Sequence, residues 1–181
     1  MAALLRTLVA YVEDKPGVLN RVASLFRRRG YNIASLNVGR THDTGVSRMT
    51  IVVEGDARVS HLMEANLYKL VNVLSVEDIT ETPAVVRDMA LIKIAVLADR
   101  RAEVLQLIEV FHARVVDICP ATLIAEITGS PDKIDAFVEV LKPYGICEMV
   151  QTGRIAMTRG VESDASRISN GQVSETVVTA A

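Results

Sequence analysis

The stretch Glu13-Asp14-Lys15-Pro16-Gly17-Val18-Leu19 decides the fold. It closes a β-rich run, residues 5–12, and turns on Pro16 and Gly17. It then opens a segment in which Val18, Leu19, Val22, Leu25 and Phe26 recur at helical spacing. Pro16 fixes its own φ and Gly17 tolerates conformations closed to other residues, so the pair suits a tight strand-to-helix turn. Gly30 follows as the C-terminal cap, and Arg27, Arg28 and Arg29 fill the last turn, where cations suit the helix dipole.

Working outward, residues 31–38 resume strand alternation, 39–45 form a polar loop, and 48–54 are an apolar strand. Leu62, Ala65, Leu67, Leu70 and Val71 mark a second helix, and 73–79 a fourth strand. Pro83 and its polar neighbours break the pattern. The order then repeats: strand 91–97, a helical stripe of Val104, Leu105, Ile108 and Phe111, strands 115–119 and 123–128, a second stripe of Ile134, Phe137, Val138 and Leu141, and a strand over 146–157. Ser130-Pro131-Asp132 is a cap and first turn for the last helix. The fold class is α+β: two tandem ferredoxin-like βαββαβ domains, each an antiparallel sheet with two helices on one face. The expected divisions are a first domain at 4–80, a linker at 81–87, a second domain at 88–160 and a mobile tail at 161–181. That tail is Ser/Thr-rich and without periodicity.

Half of the 181 residues are apolar but only 4% are aromatic, so the core must come from Val, Ile, Leu and Ala. A net charge of −2 lacks the summed positive field that a phosphate backbone requires, which disfavours nucleic acid as a partner. No apolar run is long enough to cross a bilayer, and the first residues enter a strand pattern directly, so no membrane partner is expected and the expected location is cytoplasmic. Cys119 and Cys147 show no metal or redox spacing and are expected to be reduced and buried. His42, His61 and His112, placed on a loop and two helices, lack ligand spacing, so no metal site is expected. No Ser/His/Asp set, nucleophile elbow or P-loop is present, so no catalytic residue is assigned. Asp117 lies among apolar strand residues without an assigned role.

The first strand-to-helix turn is where a ligand would bind. Backbone N–H groups at a helix start donate to a carboxylate, Gly17 allows close approach, and Asp14 can accept from an ammonium group. An α-amino acid carries both charges. Asn32 adds donors and acceptors if a neighbouring chain presents it. The plainer reading of the same residues is that Asp14 caps the helix and Pro16-Gly17 makes the turn.

DKPGVL within βαββαβ resembles the ACT domain, a small-molecule-binding regulatory module. RRGYNIASLNVG (28–39), SRMTIVVEGD (47–56), KLVNVLSVEDIT (69–80), ALIKI (90–94), KIDAFVEVLKPYGI (133–146) and QTGRIAMTRG (151–160) resemble the acetolactate synthase small-subunit family. The resemblance implies a regulatory subunit in branched-chain amino acid biosynthesis, without catalysis of its own. Such a subunit stimulates a catalytic (large) subunit and makes it sensitive to feedback by valine. It implies at least a homodimer, with the inhibitor between Asp14, Gly17, Val18 and Leu19 of one chain and Asn32 and Ile33 of the other. Many members carry Asn where this chain has Asp14. The second half has Ala98-Asp99-Arg100-Arg101-Ala102 at the equivalent turn, without Pro-Gly, so contact with the catalytic subunit is its expected role. Thiamine diphosphate, Mg²⁺ and FAD are expected on that partner and none of them on this chain. A free-standing ACT-type amino-acid sensor or transcriptional regulator is the alternative, although no helix-turn-helix is legible. A catalytic ferredoxin-like protein is the third reading.

Overall fold

A computed structural model of the chain describes residues 4–160; the expected mobile tail at 161–181 lies outside the described residues. The chain divides into two compact units, one running to Val85 and resuming at Ala156, the other Val86–Ile155. The first contains β1 (Leu5–Glu13), α1 (Val18–Arg29), β2 (Ile33–Arg40), β3 (Val46–Glu54), α2 (Ala57–Leu67) and β4 (Val73–Asp78). The strand order is β2-β3-β1-β4, with β3 antiparallel to both neighbours. Leu8, Ala10 and Val12 alternate along β1 and, with Met49, Ile51 and Val53 of β3, pack under Val18, Val22, Phe26, Met63 and Leu67. Val9, Thr50 and Val52 point away from the helices and are also buried. The centre of the sheet is therefore covered on both sides, and β1 and β3 read as apolar runs rather than clean alternations. Ala156, fully buried in the same unit, accepts a hydrogen bond from Arg48 at its carbonyl.

The second unit repeats the permutation. Its elements are β5 (Ala84–Ala95, from Val86 on), α3 (Arg101–Val110), β6 (Arg114–Ile118), β7 (Thr122–Gly129), α4 (Pro131–Leu141), a 3₁₀ turn (Lys142–Tyr144) and β8 (Ile146–Gln151), while β9 (Ile155–Thr158) leads back into the first unit. The order is β6-β7-β5-β8. Ala90, Ile92, Ile94, Leu123, Ala125 and Ile127 form the floor beneath Val104, Ile108, Ile134, Phe137 and Leu141. Ser130 caps α4 by accepting from the Lys133 amide (3.4 Å), as its sequence indicated. Gly30 caps α1 at φ 70°, and the Tyr31 amide reaches the Phe26 carbonyl at 3.1 Å.

Several sequence expectations need correction. Of the linker expected at 81–87, residues from Ala84 onward are strand, because the β-branched pair Val85-Val86 resumes extended structure directly after Pro83. Helix α2 starts earlier, at the Asp56 cap, whose carboxylate accepts from the Val59 amide (2.9 Å). Its buried face is Ser60, Met63, Asn66 and Leu67. Leu62 is exposed, and Val71, 90% exposed, lies beyond the helix. Two polar residues in buried positions misled a reading based on apolar spacing. The strand expected over 146–157 is two strands, broken where the Thr152 hydroxyl accepts from the Met89 amide (3.0 Å). His112 sits one residue past the α3 cap at φ 52°, where its amide closes on Glu109 and that of Ala113 on Ile108. Both cysteines are exposed rather than buried, Cys147 on the edge strand β8 and Cys119 just after the edge strand β6.

Asp78, at the end of β4, ties the first unit together. It accepts from Arg6 (Nε 3.1 Å, Nη2 2.8 Å), the Thr80 amide (2.9 Å) and the Ser60 and Thr80 hydroxyls. Burial alone would raise its pKa. The opposing donors, led by Ser60 and Thr80 and joined by Arg6, outweigh it and hold the carboxyl at about 2, against an ordinary 3.8. The folded state thus binds this proton less readily than the unfolded chain, and the stabilisation present above pH 4 is lost as pH falls through about 2. Asp78→Asn is expected to cost the first unit about 2 kcal/mol at pH 7, with the gap from the parent closing toward pH 2 in chemical denaturation. A gap that stays constant over that range would remove the carboxylate from the account.

Candidate functional site

Four residues separate β1 from α1, and the backbone fixes them closely. The Asp14 amide donates to the Gly45 carbonyl (2.7 Å), hanging the β1–α1 turn on the β2–β3 loop. Glu13, whose carboxylate is held below its usual pKa by Asn72 and then by Lys15 (3.0 Å), braces the start of the turn. Asn72 accepts in turn from Arg21 of α1 (2.7 Å). Gly17 stands at φ 84°, ψ −5° and is itself the helix N-cap.

This geometry overturns the capping reading of Asp14. No side chain caps α1 and no acidic residue lies in its first turn, whereas Asp56 and Ser130 cap α2 and α4. A glycine occupies the capping position and Asp14 falls three residues short of it. The Val18 amide closes on the Lys15 carbonyl (3.3 Å), and the amides after it, with no side-chain cap, keep their partial positive charge. The Asp14 carboxylate, 45% exposed, instead faces the Arg40 guanidinium at 3.6 Å.

Asp14 and Arg40 share the wall of a cavity of about 380 Å³, closed by the β2–β3 loop from Thr41 to Val46. That loop is internally braced: the Thr41 hydroxyl accepts from the Asp43 amide (3.1 Å) and donates to the Val46 carbonyl (3.1 Å), and Gly45 turns at φ 82°. Sequence reading passed over residues 39–45 as a plain polar loop and so missed Arg40 and Thr41. The available signal was topological. In βαββαβ the first two strands both run antiparallel to the third, so the ends of β1 and β2 lie on either side of its start. Glu13 opposes Val46 and Arg40 opposes Ser47.

Of the six residues picked from sequence, Asp14, Gly17, Val18 and Leu19 share this junction. Val18 turns its side chain into the core and offers only its backbone, while Leu19 is exposed. Asn32 and Ile33 lie past the other end of α1, roughly 18 Å away along twelve residues of helix. There Asn32 donates to Glu54 (3.2 Å) and Ile33 pairs with Val53. One chain does not bring the two groups together. The strand that Ile33 begins, β2, is however an edge strand whose far end, Arg40, borders the cavity.

The equivalent junction of the second unit is differently built. Its α3 begins after Arg100 without a left-handed glycine, and Glu103 already supplies an acid to the first turn. Arg101 folds back onto the Cys119 (3.1 Å) and Pro120 carbonyls, and Arg100 lies 4.3 Å from the Tyr144 ring centroid. Among the described residues no group of three or more His, Cys, Asp or Glu side chains could hold a metal ion, and no helix is long and apolar enough to cross a membrane. Asp117 is exposed on β6 beside the Cys119 thiol (3.8 Å).

Two βαββαβ units, with an open left-handed glycine junction in the first alone, define a tandem ferredoxin-like protein with one ACT-type half. Residues 8–75 match the "AHAS small subunit-like ACT domain" and residues 87–160 match the "Small subunit of acetolactate synthase". The chain is 47% identical over 154 residues to the probable acetolactate synthase small subunit of Archaeoglobus fulgidus, covering 85% of this chain and 96% of that one. It is 48% identical over 149 residues to the acetolactate synthase small subunit of Aquifex aeolicus, covering 82% and 78%. A crystal structure of the acetolactate synthase small subunit from Thermotoga maritima superposes with a TM-score of 0.82 at 37% identity, covering 87% of this chain and 99% of that chain. The chain belongs to the acetolactate synthase small-subunit family, whose members are regulatory subunits.

A Cβ added at Gly17 meets nothing within 4 Å, so substitution there isolates the backbone cost. Gly17→Ala is expected to destabilise the first unit by about 1 kcal/mol and Gly17→Asn by less, since Asn enters the left-handed region more readily. Urea midpoints of the two variants check the order; equal losses would mean that the side chains meet a neighbour.

Proposed function

We propose that this chain senses valine, or a closely related branched-chain amino acid, and sets the activity of a separate acetolactate synthase catalytic subunit. The observation that carries the reading is the start of α1 without a side-chain cap, preceded by Asp14, whose carboxylate faces Arg40 at the end of the edge strand β2. An edge strand with free N–H and C=O groups is a template for pairing. If two copies pair β2 with β2 antiparallel about a two-fold axis, the sheets join into eight strands. The start of one β2 then lies beside the end of the other. The partner's Asn32 and the partner's Ile33 are thereby carried toward Arg40, Asp14 and Leu19 of the first chain.

In that arrangement the ligand carboxylate meets the first-turn amides of α1 and its ammonium meets Asp14. Its branched side chain lies between Leu19 and the partner's Ile33. The ligand then stabilises one orientation of the two chains, and the residue 88–160 halves pass that preference to the catalytic subunit. A coupling free energy of ~1–3 kcal/mol gives graded feedback. Thiamine diphosphate, Mg²⁺ and FAD belong, on this reading, to the catalytic partner.

The test is acetolactate formation from pyruvate by the catalytic subunit of the same organism, with and without this chain and valine. The expected result is stimulation by the chain, reversed by valine. Gly17→Asp should abolish the reversal and keep the stimulation, because aspartate accepts a left-handed backbone but sets a carboxylate against that of the ligand. No response to the chain or to valine, with both proteins folded, would favour a free-standing amino-acid sensor. Joint loss of stimulation and inhibition in Gly17→Asp would make Gly17 a folding residue alone.

A further inference from the structure

The other end of α1 carries a feature that the amino-acid site does not use. Leu25, Arg28 and Arg29 of α1, Asn66 of α2, and Lys69 and Leu70 of the turn that follows α2 line a cleft of about 430 Å³. No carboxylate lines it, and neither Arg28, Arg29 nor Lys69 forms an ion pair among the described residues. Asn66 organises it. Only 6% exposed, Asn66 donates to the Leu62 carbonyl (2.6 Å), which fixes its amide. Its oxygen then accepts from both Arg29 Nη2 (3.2 Å) and Lys69 Nζ (3.4 Å). Two like charges are thus drawn to one acceptor, an arrangement that an incoming anion relieves.

Neutralising helix ends is the simplest use for such cations, and its magnitude is insufficient. Each helix C-terminus is worth about half a negative charge, so the ends of α1 and α2 together absorb about one. Arg27, Arg28, Arg29 and Lys69 supply four positive charges in a chain whose net charge is −2. The kind of anion follows from the same geometry. Two helix C-termini present carbonyls, which repel a small anion bound against the backbone, as phosphate commonly binds. The charges stand outward on long side chains instead. Beside them lie Leu25 and Leu70 in the cleft and the exposed Leu62 and Val71 next to it. Outward cations among aliphatic side chains suit the surface of another protein.

We propose that this cleft docks an acidic segment of the catalytic subunit, one carrying at least two carboxylates flanked by aliphatic residues. The proposal rests on the regulatory reading for the partner and on the cleft itself for the place. The test is the dissociation constant between full-length chain and catalytic subunit, measured by calorimetry at low and high salt. Arg28→Gln/Arg29→Gln/Lys69→Gln is expected to weaken binding by roughly tenfold to a hundredfold at low salt and to flatten the salt dependence. If the triple variant loses its thermal transition, Arg28→Gln and Lys69→Gln separately carry the test, with a roughly threefold loss expected from each exposed side chain. Unchanged affinity in the neutralised chains overturns the cleft while leaving the regulatory reading intact. No binding by the parent chain removes both. Inorganic pyrophosphate that binds the parent but not the neutralised chain, without displacing the catalytic subunit, would assign the cleft to a small anion and overturn the docking proposal.

Discussion

Gly17 turns the chain from β1 into α1 at φ 84°, and the rest of the candidate site depends on that turn. The capping position of a helix is normally where a short polar side chain satisfies the first amides. A left-handed backbone favours a residue without Cβ at that position, so no side chain caps the amides that follow Val18. The same turn leaves Asp14 outside the helix, free to face Arg40 and held in place through its own backbone bond to Gly45. One conformational requirement therefore produces an exposed anion acceptor and a carboxylate beside it, the two charges that an α-amino acid complements.

The two halves show how one topology supports different outcomes. Both place their third strand between the first two and leave the second at an edge. In the first half the junction is open. In the second, Arg101 is folded onto nearby carbonyls, Arg100 lies over Tyr144, and Glu103 compensates the helix start. The distinction rests on a few residues at one turn, since the cores beneath are built alike from β-branched and aliphatic side chains.

Much of the architecture was legible because local and tertiary demands agree. Helices α1 and α4 have apolar faces that are truly buried, with Gly30 and Ser130 where caps belong. Helix α2 was not, because Ser60 and Asn66 sit buried for their hydrogen bonds to Asp78, Arg29 and Lys69, and a search for apolar spacing slides past polar residues that are inside for a reason. The exposed cysteines show the same limit: strand composition says nothing about which strand ends at an edge. In the site, Asp14 and Gly17 announced themselves through adjacency. Arg40 did not, because its nearness to Asp14 arises from two strands flanking a third.

Helix α1 joins the two proposed sites physically. Its amide end follows the turn that carries Asp14, which lines the first cavity, and its carbonyl end lines the basic cleft, with Val18, Val22 and Phe26 buried between. A rod anchored along its middle cannot shift at one end without shifting at the other, since a close-packed core resists local deformation. On the proposed reading, a ligand that pulls on the first turn would act on the register of Arg28 and Arg29 against Lys69. Asn66 holds only two of those three cations, so Arg28, whose one bond is a 3.4 Å contact to the Ser24 carbonyl of its own helix, follows any motion of α1 directly. Coupling by this path requires no rearrangement of the sheet, only a tilt of one helix across it. It would act alongside any change in how the two chains of a dimer are oriented.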